Sequence, residues 1–189
     1  MSETIFFCGG HCAGKTSLLK TLTKEHVLDD WAFEIGKDLF YKRKLETATQ
    51  GEAFEMEVSR LELERDLRLN NSEGLIGIET WHPGNLAYAT VRNPDSVPKL
   101  IELIKKSPLL EKSQGIWLRV SAEKIFERTK TFNQNRSWAA EFYTKIDRAM
   151  ARCLDALGLK DKVILVNADR EFDLVYADVK LAIEKFAVR

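Results

Sequence analysis

Residues 5–22, IFFCGGHCAGKTSLLKTL, carry the most informative pattern of this chain. The first four residues of this stretch are apolar, favour strands, and stop at Gly9-Gly10. Such a short apolar run predicts a strand that is buried on both faces. From about Lys15 to Glu25, leucines recur at the spacing of one helical face. The stretch therefore predicts a buried strand, a glycine-rich turn and a helix.

The turn carries the pattern Gly-x-x-x-x-Gly-Lys-Thr, which is the P-loop pattern. Its glycines let the backbone turn tightly, so that successive N–H groups point at phosphate oxygens. Lys15 places a positive charge on the terminal phosphates, and the Thr16 hydroxyl can ligate Mg²⁺. The helix adds the positive end of its dipole. We therefore predict that the nucleotide phosphates bind to Gly9, Gly10, His11, Cys12, Ala13, Gly14, Lys15, Thr16 and Ser17.

The cysteines and His11 around this loop do not predict a metal site. A loop wrapped around phosphate cannot also turn Cys8, His11 and Cys12 onto one ion, so we interpret them as variable loop positions. Cys153 falls on an apolar stripe and is expected in the core. Three cysteines without framework spacing favour a reducing compartment.

Composition limits the function classes. The 189 residues suffice for one domain with a real core, and 44% are hydrophobic. Lys+Arg and Asp+Glu both number 29, so no basic field argues for nucleic acid or an anionic membrane. No apolar run has the length of a membrane span, and the N-terminus has no signal-peptide pattern. We expect a cytoplasmic protein with one domain over residues 1–189.

Short apolar runs and amphipathic segments alternate along the rest of the chain. Strands are predicted at residues 31–35, 74–79, 115–121 and 162–168, and helices at about 52–69, 122–130, 138–157 and 171–186. Residues 94–113 read as a helical insert. Strands that alternate with helices favour parallel pairing through right-handed crossovers. The pattern therefore predicts an α/β fold of three layers.

A P-loop alone does not separate kinases, GTPases and mechanical ATPases. A GTPase needs an Asn-Lys-x-Asp sequence to read guanine, and the nearest match, Asn167-Ala168-Asp169-Arg170, lacks the lysine. A mechanical ATPase usually has an acidic pair after its metal-binding strand, whereas a single acid, Glu79, ends the run LIGIE. Both classes are therefore disfavoured.

Four segments, in the same order, resemble small P-loop kinases of the thymidylate kinase and deoxynucleoside kinase group. The first is the phosphate loop. The second, IETWHPGNLAYA (78–89), is similar to the thymidylate kinase stretch Asp-Arg-Tyr…Ser-Asn-Leu-Ala-Tyr, with Glu79 in the acid's place. The third is IWLRVSAEKIFERTKTFNQNR (116–136), and the fourth is VNADREFDLVYADVKLAIEKF (166–186). Together they cover most of the chain.

This resemblance implies a P-loop NTPase fold, a parallel sheet of five strands ordered 2-3-1-4-5, and a site at the carboxyl ends of the strands. It implies ATP as the donor, with Mg²⁺ held by Thr16 and Glu79. Arg128 would reach the donor phosphates or stack on adenine, and Lys130 and Arg136 would close a lid near 128–138. The adenine would be bordered by Asn167, Asp169 and Arg170.

On the acceptor side, the resemblance makes Glu34 the residue that accepts the proton of an acceptor hydroxyl or orients the acceptor. Arg60 is placed roughly like a family arginine that grips the acceptor. Arg60 lies on the helix at 52–69, where Phe54, Val58 and Leu61 form one apolar stripe and Met56, Leu63 and Leu67 another. Two apolar stripes suggest an acceptor-site wall or, as in the family, a homodimer contact.

Two departures from the family bear on the acceptor. Thymidylate kinases carry arginine before the strand-two glutamate and after the strand-three acid, where this chain has Phe33 and Thr80. An acceptor phosphate favours bidentate arginine contacts, so their loss favours a neutral acceptor with a hydroxyl group. Trp81 and His82 would line its pocket.

The leading hypothesis is thus an ATP-dependent kinase of a nucleoside, nucleotide or similar small acceptor. Its predicted catalytic residues are Lys15, Glu34, Arg128 and Arg136. A regulatory P-loop ATPase or nucleotide-dependent switch without a small acceptor, and a nucleotide-binding scaffold without turnover, remain as alternatives. The sequence does not name the acceptor.

Overall fold

The computed structural model describes residues 3–43, 51–129 and 136–187. Its strands are β1 (Glu3–Cys8), β2 (Asp30–Ala32), β3 (Leu75–Glu79), β4 (Gln114–Arg119) and β5 (Val163–Asn167). Its helices are α1 (Lys15–Lys24), α2 (Ile35–Lys42), α3 (Glu52–Leu69), α4 (Trp81–Arg92), α5 (Val97–Ile104), α6 (Ala122–Arg128), α7 (Arg136–Ala156) and α8 (Phe172–Ala187). Short 3₁₀ turns occupy Pro94–Ser96 and Lys160–Lys162.

The strands form one parallel sheet in the order β2-β3-β1-β4-β5, which confirms the predicted P-loop NTPase topology. The central strand β1 pairs with β3 on one side and β4 on the other, as in the partners Phe7–Glu79 and Phe7–Ile116. From Thr4 to Cys8 every residue of β1 is buried. The P-loop that follows β1 therefore lies at the centre of the carboxyl edge of the sheet.

Packing on the two faces of the sheet follows the alternation of side chains along its strands. Phe6 contacts Trp81 of α4, with the ring centroids 5.1 Å apart. Gly115 on β4 makes room for this ring, because a Cβ there would lie 2.2 Å from Cζ of Phe6. On the other face, a Cβ on Gly77 would lie 2.4 Å from Cδ2 of Leu19 in α1. Gly77 thus lets a side chain of α1 approach the sheet, and Gly115 leaves space for the Phe6 ring of the neighbouring strand.

Two helices differ from the sequence prediction. The strand predicted at 31–35 ends at Ala32, and Ile35 begins α2, because the N–H of Asp38 donates to the carbonyl of Glu34 at 3.2 Å and closes a helical turn. α4 was not predicted, and it carries Pro83 and Gly84 in its first turn. Proline is tolerated there because the N–H groups of the first helical turn have no partner inside the helix.

α3 buries a polar face rather than two apolar stripes. Phe54 and Val58 are buried as predicted, but Leu67 is 59% exposed and Leu63 is half-buried. In their place the helix buries Glu55, Ser59, Glu62, Arg65 and Asp66. α3 packs against α2, α4 and α5. Within the described residues, no helix combines the length and apolar character that crossing a membrane requires.

Candidate active site

The P-loop is held open by its own backbone geometry. Gly9 and Gly14 have φ of 138° and 88°, which glycine adopts without strain. A Cβ on Gly9 would also lie 2.2 Å from the carbonyl oxygen of Leu118, so the close approach to β4 requires glycine. Lys15 is 7% exposed, and its Nζ donates to the carbonyls of Gly9 and Gly10 at 2.9 and 3.0 Å. The ammonium group of Lys15 is thus held by the backbone carbonyls at the start of its own loop.

The two residues predicted to bind metal are in contact. The hydroxyl of Thr16, at the start of α1, donates a hydrogen bond to Oε1 of Glu79, at the end of β3. Glu79 is buried, with 2% of its surface exposed. A hydroxyl and a carboxylate oxygen are hard ligands of the kind that Mg²⁺ prefers, together with substrate phosphates and water. The donor set therefore fits this ion.

Arg128 ties the P-loop to the segment that follows β5. Its guanidinium donates to the carbonyls of Ala168 at 2.9 Å, Arg170 at 3.2 Å and Cys12 at 3.3 Å. A cavity of about 300 Å³ lies between these segments. Its lining comprises Cys12, Ala13, Gly14, Ser17, Leu18, Arg128, Ala168, Arg170, Glu171, Phe172 and Val175.

The three residues predicted to border adenine have different places. Arg170 lines this smaller cavity. Asn167 and Asp169 instead hold the turn after β5: Asn167 Oδ1 accepts from the N–H of Asp169 at 3.0 Å, and Asp169 Oδ1 accepts from the N–H of Ser121 at 2.8 Å. Of these three residues, Arg170 lines the cavity, whereas Asn167 and Asp169 do not.

A larger cavity, of about 410 Å³, opens on the other side of the P-loop. One wall is the loop itself, residues 11–17, together with Glu79 and Arg128. The facing walls come from α2, α3, α4 and α7 and the residue before α2. Those walls are lined by Glu34, Gly36, Lys37, Phe40, Tyr41, Phe54, Glu55, Val58, Asn85, Tyr88, Arg92 and Tyr143.

Glu34 lines this cavity across from the P-loop, as the sequence predicted. It follows β2 and occupies the N-cap position of α2, with φ −67° and ψ 108°. Its Oε2 accepts a hydrogen bond from the hydroxyl of Thr80 at 2.8 Å. The carboxylate is therefore held by a residue next to Glu79.

The wall made by α3 and α4 carries a buried ion pair. The carboxylate of Glu55 accepts hydrogen bonds from Nε of Arg92 at 2.9 Å and from Nη2 of Arg92 at 3.1 Å. It also accepts one from the side-chain amide of Asn93 at 3.2 Å. The Arg92 guanidinium also lies over the rings of Phe54 and Tyr88, 5.7 and 5.1 Å from their centroids. Burial raises the pKa of Glu55, and Arg92 opposes that shift. Aromatic faces and a polar edge thus meet on this wall.

His11 is uncharged at neutral pH. Its ring stacks on Tyr143 with the centroids 5.0 Å apart. Burial, followed by the charges of Lys15 and Lys37, lowers the pKa of His11 to about 4. Burial also raises the pKa of the Tyr88 and Tyr143 phenols. The ring-bearing side chains here are neutral donors or acceptors.

Solved structures share this architecture, although no known family profile and no curated protein matches the sequence. NadR in complex with NR superposes with a TM-score of 0.74 at 16% identity over 98% of this chain. Deoxyadenosine kinase from M. mycoides has a TM-score of 0.71 at 14% identity, covering 98% of this chain and 100% of that one. Thymidylate kinase from Candida albicans has a TM-score of 0.68 at 16% identity, covering 97% and 92%.

The chain has the P-loop kinase fold. At these identities the likeness establishes the architecture and no more. This chain spans 50% of the NadR chain, whereas it matches nearly all of the two smaller kinases. The predicted similarity to thymidylate and deoxynucleoside kinases is therefore confirmed for the fold.

Three residues predicted for the acceptor pocket lie away from the cavity. Arg60 is exposed, because it follows Val58 by two positions and so points to the opposite side of α3. Trp81 and His82 are fully buried beside the sheet. Trp81 Nε1 donates to Asp66 at 3.0 Å, and His82 Nε2 lies 2.8 Å from Asp66 Oδ2. We therefore no longer assign these three residues to the acceptor pocket.

The lid prediction lies mostly outside the described residues, since those omit 130–135 and with them Lys130. Arg136, the first residue of α7, is exposed, and its guanidinium lies 5.9 Å from the ring centroid of Phe126. The structure does not place Arg136 on the cavity wall. Its catalytic role stays a prediction.

Several cavity residues were missed from the sequence. Tyr88 and Arg92 sit at i and i+4 of α4, a spacing that signals a shared helical face once the helix itself is known. Glu55 and Arg92 are opposite charges on different helices, and their pairing has no signal in spacing. Lys37 lies on α2, a helix that the sequence analysis did not predict.

Proposed function

We propose that this protein is an ATP-dependent kinase that transfers a phosphoryl group to a hydroxyl of a small molecule with a planar ring. A single observation carries this proposal: one cavity of about 410 Å³ is bounded on one side by the P-loop and on the other by Glu34 and an aromatic wall. A donor phosphate on the loop and an acceptor against the wall would share the same space. Phosphoryl transfer requires such positioning above all.

The donor side has the groups that neutralise phosphate charge. Lys15 and the N-terminus of α1 would bind the terminal phosphates, and Arg128 lines the cavity beside the loop. Thr16 and Glu79 would hold Mg²⁺, which supplies charge neutralisation at the phosphate oxygens when bound. The smaller cavity beside Arg170 and Phe172 would take the base of ATP.

On the acceptor side, Glu34 would take up the proton, as its position on the cavity wall allows. The attacking oxygen forms a bond to the γ-phosphorus while the bond from that phosphorus to the bridging oxygen breaks and ADP leaves. The proton of the acceptor hydroxyl passes to Glu34 and then to water. A positioned base of this kind typically contributes about 10²–10⁴-fold in rate.

The cavity suits a neutral acceptor better than a phosphate. The two positions at which thymidylate kinases carry arginine hold Phe33, which is 64% exposed, and Thr80, which is buried. Arg92 lies on the cavity wall but is already paired with Glu55. Phe54, Tyr88 and Tyr143 offer faces for a ring, while Glu55 and Asn85 offer polar atoms for its edge. The kinases of similar fold include a deoxyadenosine kinase, which fits a nucleoside-like acceptor.

The test is ADP release measured with Mg²⁺ and ATP across a panel of acceptors. The panel should contain ribonucleosides, deoxynucleosides, their monophosphates and NR. We expect at least one unphosphorylated member to raise ADP release well above the rate without acceptor, with formation of the phosphorylated product. Slow hydrolysis that no acceptor changes would instead support the regulatory ATPase. Stimulation by monophosphates alone would overturn the hydroxyl acceptor.

A further inference from the structure

Thr80 connects two of the carboxylates that line the cavity, those of Glu34 and Glu79. Its hydroxyl donates to Oε2 of Glu34 at 2.8 Å, although the two residues are 46 positions apart in sequence. Thr80 directly follows Glu79, whose carboxylate accepts the hydrogen bond of Thr16. The P-loop hydroxyl, the metal-side carboxylate and the acceptor-side carboxylate are thus joined through one peptide unit. Thr80 itself is fully buried and does not line the cavity.

The backbone and the methyl group of Thr80 are both constrained by neighbouring residues. Its backbone has φ 66° and ψ −58°, a conformation that is costly for a β-branched residue. Its N–H donates to the carbonyl of Phe7 at 2.8 Å, which anchors it to β1. A Cβ on Gly84 would lie 2.5 Å from Cγ2 of Thr80, so glycine one turn later makes room for the methyl group. The direction of the hydroxyl is therefore set by the fold.

The backbone before Glu34 has a second anchor. Arg65, which is 7% exposed, donates from Nη1 of its guanidinium to the carbonyl of Phe33 at 2.9 Å. Nη2 of the same guanidinium pairs with Glu62. Arg65 fixes the main chain and Thr80 fixes the carboxylate, so the two contacts leave Glu34 little freedom to turn away from the cavity.

We propose that Thr80 is a positioning residue, which holds Glu34 toward the acceptor and sets its place relative to the Thr16–Glu79 pair. With Oε2 engaged by Thr80, Oε1 is the oxygen that accepts the acceptor's proton. This inference rests on the proposed function, because it assigns Thr80 a task only if Glu34 acts on an acceptor hydroxyl. Small displacements of a reacting group can cost about 10²-fold in rate, so a fixed carboxylate matters for turnover.

The test compares two variants that differ only in the hydroxyl. Thr80→Ser and Thr80→Ala both lose the methyl group next to Gly84, but only Thr80→Ser keeps the donor to Glu34. With the full chain, Mg²⁺, ATP and an active acceptor, we expect Thr80→Ser to keep at least about a third of kcat. Thr80→Ala should lose roughly 10- to 100-fold in kcat, with KM for ATP changed less than about threefold. Equal kcat in the two variants would overturn the proposal.

Thr80→Val provides a second hydroxyl-free variant that keeps the branched shape. If Thr80→Ala is poorly folded by circular dichroism, Thr80→Val should still show the same loss of kcat, while wild-type kcat in a folded Thr80→Val would contradict the assignment. A double-mutant cycle adds a readout that a merely structural role would not move. In a Glu34→Gln background, removal of the Thr80 hydroxyl should cost less than about threefold, because the group it positions is already gone.

The outcomes separate the two proposals. A large loss in Glu34→Gln with no loss in Thr80→Ala and Thr80→Val would keep the kinase mechanism and remove only the role of Thr80. Equal losses in both backgrounds would show that Thr80 acts independently of Glu34, which also overturns the inference. A small loss in Glu34→Gln would defeat the base role itself.

Discussion

Each reactive side chain of the cavity is fixed by a specific neighbour. Lys15 donates to two carbonyls of its own loop, Thr16 donates to Glu79, and Glu34 accepts from Thr80. A group held by such contacts loses little freedom when a substrate binds, which is the physical meaning of preorganisation. Single substitutions at these residues therefore have sharp expected effects.

Lys15→Met should strongly reduce turnover while the fold survives. The substitution keeps most of the apolar stem of this buried side chain and removes the charge that would stabilise the transferring phosphoryl group. We expect kcat to fall by about 10² or more, since that is the scale of losing one charge-stabilising group. The matched control is Lys20→Met, because Lys20 is an exposed lysine of the same helix. Steady-state kinetics and circular dichroism check both, and turnover that equals the control would remove the P-loop from the mechanism.

Glu34→Gln should reduce kcat by about 10²–10⁴-fold, the usual contribution of a positioned general base. The amide keeps the shape and can still accept from Thr80, but it takes up no proton. ATP affinity should barely change, because Glu34 faces the P-loop across the cavity. Kinetics with a saturating acceptor measure this effect. A loss of kcat below about tenfold, with both substrates still bound, would show that Glu34 orients the acceptor and does not act as a general base.

The shifted titration of His11 predicts a dependence of stability on pH. Its pKa is about 4 in the folded chain, below the usual value near 6.5 of an unfolded one. Between these values the unfolded state binds more protons, so this residue's contribution is present above pH 6.5 and is lost as pH falls toward 4. His11→Gln should therefore show a weaker fall in the free energy of unfolding over this range than the wild-type chain. Urea titrations at several pH values provide the comparison, and parallel curves would contradict the expectation.

At the scale of elements, a buried polar cluster fixes α3 and α4 next to the cavity. Asp66 accepts from Trp81 Nε1 at 3.0 Å and from Ser107 Oγ at 2.5 Å, and lies 2.8 Å from His82 Nε2. On the cavity side of the same helix, Glu62 accepts from Asn85 Nδ2 at 3.1 Å. Buried hydrogen bonds between helices can form in only one arrangement of those helices, and all of these bonds are present here although Nδ1 of His82 has no partner within the described residues. The cluster thus sets how the helices that carry Glu55 and Arg92 face each other.

Asp66→Ala should lower the free energy of unfolding by about 3 kcal/mol or more, because it leaves several buried donors without an acceptor. The matched control is Glu64→Ala on the exposed face of the same helix, where a change within about 0.5 kcal/mol is expected. Urea denaturation followed by circular dichroism measures both variants. Similar stabilities of the two would show that the cluster contributes little.

At the scale of the whole molecule, the order of the sheet brings distant segments to one edge. Glu34 follows β2, Glu79 ends β3, the P-loop follows β1, and Arg128 bridges the loop to the segment after β5. A nucleotide bound here would contact segments that are far apart in sequence. Binding should therefore stabilise the fold as a unit.

Mg²⁺ with ATP should raise the free energy of unfolding, by about 2.7 kcal/mol at a concentration of 100 times Kd. GTP at the same concentration should stabilise less, because the chain lacks the Asn-Lys-x-Asp sequence that reads guanine. Thermal denaturation with each nucleotide, and with the Lys15→Met variant, measures the difference. A larger shift with GTP would reverse the assigned base preference.

The P-loop, with Lys15 and Thr16, could be predicted from residue types and spacing alone, whereas the order of the sheet and the places of Glu34, Glu79 and Arg128 followed from the resemblance to thymidylate and deoxynucleoside kinases. The loop is a contiguous segment whose glycines encode its backbone, and buried parallel strands leave an apolar run that reads directly from composition. Strand ends carry site residues because parallel strands finish at one edge. The P-loop depends on residues that are neighbours in sequence, so a pattern predicts it directly. The shared edge of the sheet depends on the strand order, which the family resemblance implied.

The acceptor wall could not be predicted from the sequence, because it depends on how separate helices pack against one another. α3 exposes Leu67 and buries Glu55, Glu62 and Asp66, against the apolar pattern of the helix, because partners on α4 satisfy those charges. The face of α3 that packs on α4 therefore excludes Arg60, which is exposed, and pairs Glu55 with Arg92 on the cavity wall. The rotation of a helix about its axis depends on the sum of its contacts with other elements. The spacing of residues within one segment does not report those contacts. The hydrogen bond from Thr80 to Glu34 could not be predicted for the same reason.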